Sequence, residues 1–274
     1  MIVDSHQHFW RLDRGDYGWL TPKLAPIYRD FVPADLGPIL SRHNIDATVL
    51  VQAAATVAET DYILSLAAES AFVLGVVGWV DFESPDASAE IERLARNPRL
   101  KGLRPMIQDI ADPEWMLQPT LQPAMTTLQR CGLRFDALLK PRHLKPFARF
   151  LALYPDLRVV VDHGAKPAIA KKEFDEWAPA LREIARDPRV HCKMSGLATE
   201  AASDWHQRDV KPYVDLLIEC FGPKRLMWGS DWPVVDLAGG YSHWREASLN
   251  YLARLNGEER SAILGKTAVK FYGL

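Results

Sequence analysis

Short apolar runs rich in β-branched residues recur eight times along this chain, near residues 2–8, 46–52, 73–80, 99–105, 133–139, 158–163, 189–195 and 225–231. Each is followed by a segment with helical spacing, at 34–42, 59–71, 87–96, 121–131, 144–153, 174–186, 210–220 and 244–255. Runs such as Ala47-Thr48-Val49-Leu50-Val51 and Val159-Val160-Val161 are apolar on both faces. That is the pattern of parallel strands covered by helices on one side and by a packed interior on the other. Eight strand–helix repeats predict an α/β fold, a (β/α)8 TIM barrel. Asn256 with Glu259 forms a capping-box pattern that starts an extra C-terminal helix, expected to run to about residue 271 and to pack across the outside of the barrel. Nothing in the composition divides the 274 residues, so a single domain spanning 1–274 is expected.

The connections are unequal. Links from helix back to strand are short and carry turn residues, as in Asn97-Pro98-Arg99 and Gly222-Pro223-Lys224. Links from strand to helix, at 9–33, 106–120, 164–173, 196–209 and 232–243, are longer and rich in Trp, Pro, Gly and Asp. In a barrel these all crown the catalytic face. Trp10, Tyr17, Trp19, Trp115, Trp205, Trp232 and Trp244 lie in or beside them, which predicts an aromatic-walled mouth with Trp10 and Trp232 against the substrate.

The strand ends carry the polar residues. The first run closes on Asp4-Ser5-His6-Gln7-His8, and alternation along a strand turns His6 and His8 the same way. The fourth strand ends at Arg104, the sixth at Asp162-His163-Gly164, the seventh at Lys193-Met194-Ser195-Gly196, and the eighth at Trp228-Gly229-Ser230-Asp231-Trp232-Pro233. His6, His8, His163 and Asp231 offer three imidazoles and a carboxylate, a set that suits a zinc or other divalent ion in an open coordination sphere. The same residues also work without metal, Asp231 as general base on water and the imidazoles as hydrogen-bond donors to a substrate carbonyl. Asp231 and His163 are therefore the catalytic candidates, and His6, His8, Arg104 and Lys193 the substrate-binding ones.

Each has a plainer alternative. Asp4 lies on the face of His6 and His8 by strict alternation, as an orienting acceptor or as a hydrogen bond in the barrel floor. Arg104 stands ready to clamp a carboxylate or a hydroxyl-rich substrate, or to pair with a neighbouring strand end. Lys193 is a positive group near developing negative charge, or it points outward past a helix. His143 and His191 fit core or surface roles.

Composition removes several function classes. A net charge of −2 without a basic stripe excludes a nucleic-acid partner, and no apolar stretch is long enough to span a bilayer. Cys131, Cys192 and Cys220 are odd in number and widely spaced, as expected of free thiols in a reducing compartment. With no basic and apolar leader ahead of the first strand, a cytoplasmic location is expected. No GxSxG, GxGxxG or Walker loop occurs, which leaves hydrolysis by activated water.

The opening Asp-Ser-His-Gln-His-Phe-Trp resembles the amidohydrolase superfamily, in its amidohydrolase-2 branch of sugar lactonases. So do Gly78-Trp79-Val80-Asp81, Lys101-Gly102-Leu103-Arg104, Asp162-His163-Gly164-Ala165-Lys166-Pro167, Lys193-Met194-Ser195-Gly196-Leu197 and Trp228-Gly229-Ser230-Asp231-Trp232-Pro233. The resemblance implies opening of a lactone such as L-fucono-lactone, L-rhamnono-lactone or a related aldonolactone, with Asp231 as base on water. It implies His6, His8, His163 and Asp231 as ligands of one zinc or other divalent metal, whose necessity stays open. The wider superfamily places a lysine or glutamate after strand four and a histidine after strand five; here Arg104 and Phe135-Asp136-Ala137 stand there, which argues against a binuclear centre. A small-molecule lactone, and copies of this chain in a homo-oligomer, are the partners to expect. The rival readings are a zinc-dependent decarboxylase of the same superfamily and a non-catalytic barrel that binds a sugar acid.

Overall fold

The computed structural model describes the whole of Met1–Leu274. Eight strands, β1 (Val3–Gln7), β2 (Ala47–Val51), β3 (Val73–Gly78), β4 (Leu100–Leu103), β5 (Arg134–Ala137), β6 (Val159–Val161), β7 (Val190–Met194) and β8 (Leu226–Trp228), pair in sequence order and all in parallel. The ring closes through a parallel bridge between Gln7 and Trp232, with His8 N donating to Trp232 O at 2.7 Å. The covering helices are α1 (Pro33–His43), α2 (Val57–Glu69), α3 (Ala87–Ala95), α4 (Gln122–Arg130), α5 (Leu144–Leu153), α6 (Phe174–Ala185), α7 (Gln207–Phe221) and α8 (Gly240–Leu252). None is long and apolar enough to cross a membrane.

Alternation along the strands builds two cores. Leu50, Val76, Leu103, Phe135, Val159 and Cys192 turn outward into the large helix-covered core, while Val3, Ala47, Val49, Val51, Val77, Val160 and Met227 fill the lower barrel. The upper barrel is polar.

The helical stretch after α8 departs from expectation in its destination. Asn256 caps it as the capping box requires, with Asn256 Oδ1 accepting from Glu259 N at 3.0 Å and Glu259 Oε2 accepting from Asn256 N at 2.9 Å. It runs as α9 (Gly257–Ser261), a π turn at Ala262–Lys266 and α10 (Thr267–Tyr272). Instead of lying on the outer wall, α10 turns under the barrel, where Phe271 and Tyr272 join the interior apolar layer. Arg134 Nε donates to Phe271 O at 2.6 Å and Lys101 Nζ to Gly273 O at 3.0 Å, so the starts of β5 and β4 hold it there. The apolar floor of the barrel needs a cover, and this segment supplies it.

Candidate active site

Above the polar layer lies a cleft of about 370 Å³ lined by His8, Arg104, His163 and Asp231 from the strand ends, by Trp19, and by Met106, Leu138, Lys166 and Leu237 among others from the crowning loops. His6 sits just beneath, fully buried.

The acidic centre is Asp231. Its Oδ1 lies 3.3 Å from His8 Nε2, 3.6 Å from His6 Nε2 and 3.9 Å from His163 Nε2. Two of these residues are held in the left-handed backbone region, Asp231 at φ 60° and His163 at φ 55°. Such conformations cost of order 1–3 kcal/mol in non-glycine residues and persist where surrounding contacts impose them. Asp231 N donates to His6 O at 2.8 Å, and Lys166 N to His163 O at 2.9 Å. Two glycines let the strand ends close in: a Cβ at Gly229 would fall 2.8 Å from His6 Cβ, and one at Gly196 only 2.5 Å from His163 Nδ1.

Each imidazole has a second partner. His8 Nδ1 donates to Val51 O at 2.7 Å, which leaves Nε2 as its acceptor. His163 Nδ1 shares a hydrogen bond with Ser195 Oγ at 2.8 Å. His6 Nδ1 faces the Lys193 ammonium at 3.1 Å, and His6 Nε2 lies 3.2 Å from His8 Nε2. Burial holds all three rings below the ordinary imidazole range, His163 at about 4, and at His6 the charge of Lys193 adds to the effect of burial. They are neutral at neutral pH. Burial also works against ionisation of Asp231, but His163, His8 and His6 outweigh it and hold its carboxyl below the usual range.

Beneath His6 lies a buried ionic layer that sequence reasoning placed only in part. Lys193 Nζ donates to Asp136 Oδ2 at 2.6 Å and lies 2.9 Å from Asp162 Oδ1; Arg104 Nη1 donates to Asp162 Oδ2 at 3.2 Å. Burial opposes ionisation of Asp162, yet Lys193, His6 and Arg104 together keep its carboxyl well below the usual range. Asp136 and Tyr272 were not singled out as site residues, although a carboxylate inside the apolar run Phe135-Asp136-Ala137 demands a buried cation, and Lys193 is that cation.

Several expectations need correction. Lys193 neither points outward nor lines the cleft; Cys192 and Met194 face the helices, and Lys193 fills the barrel axis below the site. Arg104 pairs with Asp162 at a neighbouring strand end and donates to Gln52 O, and it also lines the cleft. Asp4 is not on the face of His6. The register of β1 shifts between Asp4 and Gln7, so Asp4 instead accepts from the backbone amides of Ser230 at 2.8 Å and His6 at 3.3 Å. Trp10 and Trp232 are fully buried and do not line the cleft: Trp10 packs against Phe31 and Tyr17, and Trp232 between Phe9 and Phe31. Of the aromatic residues expected at the mouth, Trp19 is the one that lines it, 39% exposed and anchored by Nε1 to Ala53 O at 2.8 Å. His143 is a buried turn residue that accepts from Lys140 N, and His191 packs on Phe271 at the floor.

The donor chemistry admits a divalent metal at one side of this cup. His6, His163 and Asp231 each offer an atom within 4.8 Å of the others, and His8 Nε2 lies beside them, 3.3 Å from Asp231 Oδ1. His8 and His163 have the acceptor or hydroxyl behind the ring that a metal-bound imidazole uses; His6 has the Lys193 ammonium there at 3.1 Å and Asp162 Oδ1 at 3.7 Å. His6, His163 and Asp231 are thus the three ligands the geometry gathers, with His8 beside them.

Known proteins resemble this chain throughout. An L-fucono-1,5-lactonase of Burkholderia ambifaria is 45% identical over 274 residues, covering 98% of this chain and 94% of the relative. A second L-fucono-1,5-lactonase, from Burkholderia multivorans, is 37% identical, covering 99% of this chain and 96% of its own length. The crystal structure of an amidohydrolase from Burkholderia multivorans with bound zinc superposes with a TM-score of 0.94 at 36% identity, covering 100% of this chain and 99% of that one. Residues 3–274 match the profile of the Amidohydro_2 family, described as amidohydrolase, and with the histidines and Asp231 gathered at the strand ends this chain belongs to that family.

Proposed function

We propose that this protein hydrolyses a sugar-acid lactone of the L-fucono- or L-rhamnono-lactone type, with water activated by Asp231. The observation that carries the reading is the convergence of one ionised carboxylate and three neutral imidazoles, all within 3.9 Å of Asp231 Oδ1, at the bottom of an open cleft. The names of the full-length relatives supply the substrate class.

In this mechanism Asp231 accepts a proton from water, which adds to the lactone carbonyl. His163, which lines the cleft, donates to the carbonyl oxygen and takes up its developing charge, with His6 packed beneath it, and a neutral ring suits that task because its proton is already in place. The ester C–O bond of the ring then breaks, and Asp231 returns its proton to the departing alkoxide. Arg104, fixed by Asp162 and the Gln52 carbonyl, faces the hydroxyl groups of the sugar. A divalent metal held by His6, His163 and Asp231, with His8 beside them, would supply Lewis-acid polarisation of the carbonyl or of water.

A pH-indicator screen of aldonolactones tests the reading, run before and after chelation with metal content measured in parallel. Acid release from a 6-deoxyhexonolactone above the spontaneous rate is expected; release of carbon dioxide from an aromatic acid without lactone turnover would favour a decarboxylase instead. If chelation strips the metal and turnover stays within about threefold, the residues alone carry the reaction; a larger loss restored by zinc assigns the polarising role to the ion.

A further inference from the structure

Four consecutive residues after β6 take the left-handed backbone: His163 at φ 55°, Gly164 at 57°, Ala165 at 62° and Lys166 at 51°. L-residues visit this region singly, and a whole turn of it is costly for every member but the glycine. Contacts from outside the turn impose it. Trp177 Nε1 donates to Gly164 O at 2.7 Å, His163 Nδ1 and Ser195 Oγ share a hydrogen bond at 2.8 Å, and Ala165 is fully buried. Lys166 N closes the turn by donating to His163 O at 2.9 Å. A bond between residues three apart belongs to 3-10 geometry, here of the opposite hand, in which side chains three apart eclipse one another. Both members of that pair, His163 and Lys166, line the cleft together with Asp231. Backbone strain of this kind clusters where it sets groups in place for function.

The Lys166 ammonium is not spent on holding the protein together. Its acidic neighbour is Glu200, in the loop after β7, with Nζ 3.6 Å from Oε1. That is longer than a charge-assisted hydrogen bond of about 2.7–2.9 Å, and an ammonium has three donors to give. Arg104, the other strand-end cation of the cleft, is already engaged: Nη1 donates to Asp162 Oδ2 at 3.2 Å and Nη2 to the Gln52 carbonyl.

We infer that Lys166 is a substrate-contacting residue, presented beside His163 by the left-handed turn, that receives the lactone carbonyl oxygen as it gains charge and then the carboxylate of the sugar-acid product. Its part in turnover rests on the lactone-hydrolysis reading; its affinity for a sugar-acid carboxylate does not. A lactone is neutral and its product is an anion, so a cation here adds little to lactone binding and more to each later state on the path. The new carboxylate also forms against the ionised Asp231, and Lys166 offsets that repulsion. Lys166 makes no covalent bond to the substrate and gives up no proton.

Calorimetric titration of L-fuconate and L-rhamnonate, the acids of the two candidate lactones, into the wild-type protein and Lys166→Met at matched metal content tests the inference, with steady-state kinetics alongside. Methionine keeps most of the side chain's length and removes its charge. The Kd of the bound acid should rise about tenfold to a hundredfold, as loss of a charged hydrogen bond does, and kcat should fall by a similar factor. Lactone KM should stay within about threefold, and Lys166→Arg, which keeps the charge, should recover most of both losses. An acid Kd within about threefold of the parent in Lys166→Met overturns the inference whatever kcat does. So does an equal loss in Lys166→Met and Lys166→Arg, which would assign the side chain to shape, and so does a parent protein that binds neither acid. If Lys166→Met does not fold, Lys166→Gln takes its place; failure of both to fold makes the residue structural and overturns the inference too. Charge-dependent acid binding in a protein that opens no lactone would sink the activity reading and spare the carboxylate site, whereas lactone turnover with an acid Kd indifferent to Lys166 would do the opposite.

Discussion

Replacing Asp231 with Asn isolates proton abstraction from everything else that residue does. The left-handed backbone at φ 60° is one that Asn adopts at least as readily as Asp, and the bonds from Asp231 N to His6 O at 2.8 Å and from Val235 N to Asp231 O at 3.0 Å involve main chain only. The fold should therefore survive. General-base catalysis contributes about 10²–10⁴-fold, and the upper end needs a base whose pKa lies near the working pH. The imidazoles hold Asp231 below the ordinary carboxylate range, which makes it a weaker base and places the expected loss in kcat near 10³-fold, or about 4 kcal/mol of barrier. The assay is acid release from the best lactone of the screen, with spontaneous hydrolysis subtracted and the variant's thermal unfolding matched to the parent. A folded Asp231→Asn protein retaining more than about a tenth of parental turnover would refute the assignment of the base.

Three further outcomes follow from the same geometry. The His163 ring, at about 4 when folded against an ordinary value of 6.5, refuses a proton that the unfolded chain accepts, so its contribution to stability is complete above pH 6.5 and lost as pH falls towards 4. The loss amounts to about 3 kcal/mol, read as a falling urea midpoint over that window, and His163→Asn should flatten the slope. Trp19→Ala removes the exposed indole from the cleft and should raise KM about tenfold with kcat little changed; an unchanged KM would show that substrate does not touch it. Trp10→Ala should act on stability instead, costing about 3–5 kcal/mol in chemical denaturation, because that ring is fully buried among Phe31, Tyr17 and Trp19.

The barrel was legible because its two periods are loud: eight runs apolar on both faces, each followed by an amphipathic segment, leave few ways to bury everything. The cup was legible for a related reason, since a barrel converts "polar residue after a strand" into "same place in space", which gathers His6, His8, His163, Arg104 and Asp231 without knowledge of any loop. What escaped depends on a single residue of register or on loop packing. One shift in β1 moved Asp4 off the face of His6, and alternation cannot announce a bulge. The direction of Lys193 was undecidable from its own strand, yet Asp136 between the apolar Phe135 and Ala137 already required a cation to share the axis with it. The indoles of Trp10 and Trp232 were assigned to the mouth because their loops crown it, but large apolar rings in long loops make cores of their own, and only Trp19 was left facing outward.

Tyr272 comes later in the chain than every strand, yet its hydroxyl helps hold the ionic layer on which His6 rests. On a ribosome, where residues emerge in order, the eighth strand is free to pair while Asp136 and Lys193 still look down into an unsealed, water-filled barrel. Assembly of the catalytic end therefore waits on the opposite end of the molecule, and a nascent chain stopped between strand eight and α10 would carry all the recognisable chemistry in an open-bottomed, wet tube.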